Sequence, residues 1–113
     1  MLELSARQTQ VLERLIGEGF RLIAIPPYES ALCVRRENCA ALLTPAADGG
    51  LRLLAPPSFL VDGNLSVRIR RGEQESFVWK KKELEATPER IAELEKFRSR
   101  LTELLEEAAH PPA

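Results

Sequence analysis

The chain has 113 residues, of which 44% are hydrophobic and 29% charged, with a formal net charge of -1. That length suffices for one domain with one core, and the composition excludes a disordered or fibrous chain. A near-neutral balance also argues against a dedicated nucleic-acid binder taken as a whole molecule.

The opening stretch MLELSARQTQVLERL carries an early acid and interspersed charge, which is not the layout of a signal peptide. No apolar run approaches the roughly 18–20 residues that span a bilayer, and two cysteines in a chain without other staples fit a reducing compartment. A cytoplasmic protein that does not enter membranes is the expectation. Ser5 with Gln8 makes a capping box, and Val11, Leu12, Leu15 and Ile16 recur at helical spacing before Gly17 and Gly19. This predicts a first, amphipathic helix over about residues 6–17. Phe20 to Ile25 reads as a strand halted by Pro26-Pro27, which lack the ladder N–H. Ala31–Arg36 and Cys39–Thr44 read as a hairpin turning at Glu37-Asn38. Leu51–Ala55 is a further strand, stopped by Pro56-Pro57, and Ser58–Val61 pairs back across Asp62-Gly63.

Leu65, Val67 and Ile69 then alternate with Ser66, Arg68 and Arg70, and Phe77 and Trp79 extend an apolar face beyond a turn at Gly72. This period-2 pattern predicts a β-hairpin over residues 65–82 whose outer face carries Arg68, Arg70 and Lys80. The final element opens with Thr87 as N-cap, Pro88 at the first helical position and Glu89 beside the helix dipole. A stripe of Leu94, Phe97, Leu101, Leu104 and Ala108, widened by Ile91 and Leu105, predicts a helix of about 22 residues, leaving residues 110–113 as a tail. Segments 21–35 and 52–68 share a strand, Pro-Pro, strand arrangement, which suggests two copies of one unit.

Together these elements predict an α+β domain: an antiparallel sheet of about six strands with the N-terminal helix and the long C-terminal helix packed on it. The strand count followed by a helix also suits a small barrel capped by the C-terminal helix, a fold-level analogy to pleckstrin-homology-like domains.

Charge is distributed as a gradient. Residues 65–82 hold 6 basic and 2 acidic side chains, and residues 83–113 hold 4 and 8. The basic cluster of Arg68, Arg70, Arg71, Lys80, Lys81 and Lys82 is a candidate surface for phosphates or acidic partners, or a solvated edge that resists sheet-to-sheet pairing. The stripe of Leu94, Phe97, Leu101 and Leu104 is either a dimer seam or a layer of the core. Tyr28 and Phe59, each just past a proline pair, are candidates for an apolar lip that binds a peptide or small ligand. Cys33 and Cys39 have no zinc spacing and the single His110 lies in the tail, so no metal, cofactor or redox role is expected. No catalytic motif occurs. The expected function is a non-catalytic protein-binding or scaffolding module, with self-association as a homodimer among the forms it could take. Nucleic-acid binding through the basic hairpin is the second reading, and a small-molecule or enzymatic role the third.

Overall fold

In the computed structural model, residues 4–25 and 31–109 are described. Their elements run α1 (Ala6–Gly17), β1 (Arg21–Ile23), β2 (Leu32–Arg36), β3 (Cys39–Pro45), β4 (Leu51–Leu53), β5 (Ser58–Val61), β6 (Asn64–Leu65), β7 (Val67–Arg71), β8 (Gln74–Trp79), β9 (Lys82–Glu85) and α2 (Pro88–Ala109). Both helices start where their caps place them. Ser5 Oγ accepts from the Gln8 N–H at 3.1 Å, while the Gln8 side chain accepts from the Ser5 N–H at 2.9 Å. Thr87 Oγ1 accepts from the Arg90 N–H at 3.2 Å.

The strands form two antiparallel sheets, one of six strands (β1 to β6) and one of three in the order β7-β8-β9. The architecture is α+β and open, not a closed barrel. Two pairing details correct the sequence reading. β4 and β5 are the two halves of one interrupted strand: both lie along β3, Leu51 to Leu53 against its end and Ser58-Phe59 against its start. Pro56-Pro57 fall in the gap, where residues without an N–H cannot hold the ladder. By contrast, β1 and β2 pair with each other, so the strands flanking the two proline pairs are arranged differently and the duplication is not supported; Pro26-Pro27 lie outside the described residues.

The second correction concerns the hairpin. The two-residue turn Gly72-Glu73 sets Arg71 opposite Gln74, hence Val67 opposite Val78 and Arg68 opposite Phe77. Directly opposed residues share a face. Arg68 therefore stands on the side of buried Phe77, while Val67 is turned outward and is 66% exposed. Leu65 and Val67 do alternate as expected, but Leu65 belongs to the apolar cluster of the opposite sheet face.

That opposite-face cluster gathers Ile25, Cys33, Ala40, Leu42 and Leu60. The larger core lies between the sheets and both helices, joining Leu12, Leu15, Phe20, Val34, Leu43, Phe59 and Phe77 to Phe97, Leu101 and Leu104. Ion pairs Arg14–Glu107 and Arg100–Glu18 fasten the helices to one another. Among the described residues, no helix is long and apolar enough to cross a membrane.

Candidate binding cleft at the joint between the sheets

The strand that begins as β6 leaves the first sheet at Ser66 and continues as β7 in the second. Around this joint, hydroxyls replace ladder bonds. Ser66 Oγ donates to the Phe59 carbonyl at 2.6 Å, and Ser58 Oγ donates to the Ser66 carbonyl at 3.0 Å. Beyond these two bonds the chains diverge, because Pro57 and Pro56 offer no donor with which to continue. The divergence leaves a cleft of about 360 Å³. One wall is Ala55 to Ser58, another is Ser66 to Arg68 at the start of β7, and the helical wall is Leu94, Glu95 and Arg98 of α2. Phe59 and Phe77 also line it, and their rings stack with centroids 5.1 Å apart and planes 14° apart.

Two properties of the cleft bear on chemistry. β7 lies at the edge of its sheet, paired only with β8 among the described residues, so its second side offers unpaired backbone donors and acceptors. The charged groups in the lining are Arg68, Arg98 and Glu95. Arg68 Nε donates to Glu75 Oε2 at 2.5 Å. That hydrogen bond raises the Arg68 pKa and holds the Glu75 carboxyl below the ordinary carboxylate range. Arg98 makes no ion pair among the described residues.

The residues singled out in the sequence scatter accordingly. Of the basic cluster, Arg68, Arg71 and Lys82 are in ion pairs with Glu75, Glu83 and Asp62. Arg70 Nε donates to the Gly72 carbonyl at 3.0 Å, and Lys80 sits 4.9 Å from the Trp79 ring centroid. Carboxylates thus compensate three of the six basic residues, and Arg68 and Arg70 stand on the Phe77 side of the hairpin, not on the outer face expected for them. The stripe of Leu94, Phe97, Leu101 and Leu104 is buried in the core, so it forms no exposed dimer seam. Phe59 is also buried and belongs to the cleft's interior rather than a lip, and Tyr28 lies outside the described residues.

Cys33 and Cys39 are free thiols, both fully buried, in the two different apolar clusters. Burial raises Cys33 to about 11, and burial together with the Glu93 carboxylate raises Cys39 to about 12. Neither is a nucleophile at neutral pH. Among the described residues no group of three His, Cys, Asp or Glu is placed to hold a metal ion.

Sequence reasoning missed Ser58, Ser66, Glu95 and Arg98. The signal for the two serines was weak, since isolated hydroxyls in strands are common. Arg98 is one of several charged residues along α2, and nothing in its spacing sets it apart. Compared with known proteins, the chain matches no family model, no curated protein and no solved structure.

Proposed function

We propose that the chain is a non-catalytic protein-binding module that takes an extended peptide segment at the joint between its sheets. The observation that carries this reading is the coincidence of an edge strand, β7, with an aromatic-lined cleft of about 360 Å³ at its first two residues. Strand addition draws affinity from main-chain hydrogen bonds along an exposed edge and specificity from pockets that receive alternate side chains. The hollow bounded by Pro57, Phe77 and Leu94 has the size and apolar lining for one such side chain. Nucleic-acid binding has less support, because three of the hairpin cations already face carboxylates and Glu95 stands in the cleft.

The test is selection of binders from a displayed library of random decapeptides, followed by amide shift mapping with a selected peptide. Shifts concentrated at residues 55–59, 66–71 and 94–98 are expected. Shifts centred elsewhere, or a library that yields no binder, would overturn the reading.

A further inference from the structure

The sequence of β7 indicates what kind of segment its edge accepts. Arg68, Arg70 and Arg71 fill three of its five positions. Pairing with a second copy in the antiparallel register centred on Ile69 would set Arg68 opposite Arg70 at two points, and like charges directly opposed in a ladder are destabilising. The same edge is complementary to a strand that carries acids. Arg68 and Arg70, two residues apart, lie on the face shared with Phe77, and Phe77 and α2's Arg98 both line the cleft. Arg98 follows Leu94 by about one helical turn, is exposed, and has no carboxylate partner among the described residues. Arg70 donates to the Gly72 carbonyl and stands opposite Glu75, whose carboxylate is taken by the hydrogen bond from Arg68, so the Arg70 guanidinium makes no ion pair of its own among the described residues.

We infer that the cleft and the β7 edge recognise an extended peptide bearing side-chain carboxylates at alternate positions, with Arg98 and Arg70 as the groups that read them. This rests on the cleft being the peptide site. Guanidinium groups form charge-assisted, often bidentate bonds with carboxylates, and alternate spacing follows from the two-residue repeat of a strand. A nucleic acid would bring phosphates past Glu75 and Glu95 as well as past the arginines, so its charge is matched less well than that of a peptide with spaced acids.

The experiment uses the full chain and R98E and R70E variants, each selected against the same displayed random decapeptides. Melting temperature serves as the control for folding. The wild-type pool is expected to enrich Asp or Glu at an i, i+2 spacing around an apolar residue. R98E should weaken the best wild-type peptide by about tenfold or more, the loss of one charge-assisted contact, and should itself select peptides with Lys or Arg at the corresponding position. A pool whose shift map falls on the cleft but shows no acidic bias would overturn this inference and leave the peptide-binding reading intact. Acidic enrichment that R98E and R70E leave unchanged would also overturn it, and failure to select any peptide would end both.

Discussion

Opposite outcomes at Val67 and Phe77 follow from the hairpin register, and the pair makes a sharp test. The alternation in the sequence places both on one apolar face, whereas the pairing leaves Val67 66% exposed and Phe77 1% exposed. Phe77→Ala removes a fully buried ring. Transfer of the ring contributes about 1.5–3 kcal/mol, and its stack on Phe59 about 0.5–1.5 kcal/mol more. With the residual cavity the total is about 3–5 kcal/mol, a large share of the roughly 5–15 kcal/mol that holds a domain of this size. With a urea m-value of about 1.5 kcal/mol/M, the unfolding midpoint should fall by about 2–3 M. Val67→Lys should change stability by about 1 kcal/mol at most, because it places a charged residue on an exposed strand position. Equilibrium urea unfolding followed by Trp79 fluorescence measures both. A collapse of Val67→Lys together with a tolerant Phe77→Ala would refute the register and the cleft built on it.

Leu101→Ala, at a residue with 0% exposure, should cost about 2–5 kcal/mol in the same assay, as a core helix position does. Ser5→Ala breaks the capping box and should lower stability by about 1 kcal/mol, read from thermal melts. Iodoacetamide at pH 8 should label neither Cys33 nor Cys39 in the native protein and both in denaturant. Because burial raises both folded pKa values above that of an exposed thiol, to about 11 and 12, the thiols' contribution to stability is complete below the ordinary thiol range and is lost as pH rises through those values. Cys33→Ala should therefore flatten part of the alkaline decline. The opposite sign applies to Glu75, whose folded pKa is lowered by Arg68: its contribution is present above the unfolded carboxylate pKa and is lost as pH falls through the folded one. Glu75→Gln should reduce the acid-side slope of a stability-pH curve.

The features legible in the sequence were those with local causes. Ser5 and Gln8, Thr87 and Pro88, and the turn dipeptides Glu37-Asn38 and Asp62-Gly63 act within a few residues, and positive φ at Glu37, Asp62 and Gly63 shows why those turns fall there. The stripe of α2 told which residues were apolar but not whether a sheet or a twin would cover them. That depends on how the rest of the chain folds. At the hairpin, Val67 and Ile69 of β7 share one face with Val78, while Phe77 and Trp79 of β8 lie on the other, so composition could not choose between the faces. The two-residue turn at Gly72 was the available signal, since loop length fixes register. The cleft was not legible because its walls come from residues 55–59, 66–68 and 94–98, brought together by a strand that changes sheets at a serine. Arg68, expected outside, stands instead on the Phe77 side because the two-residue turn sets that register.

The hydroxyl joint at Ser58 and Ser66 also divides the molecule in time. The first sheet is braced on both faces by apolar clusters, while the second hangs from this joint, the Phe59–Phe77 stack and the side chains of Trp79, Leu84 and Ala86 against the core. Backbone amides of β7 to β9 should therefore exchange through a partial opening of lower free energy than the global one, and those of β2 and β3 only through the latter. A segment bound across the joint would tie the two units together and draw their exchange rates toward one value. Occupancy would then be signalled as a gain in rigidity with little change of shape.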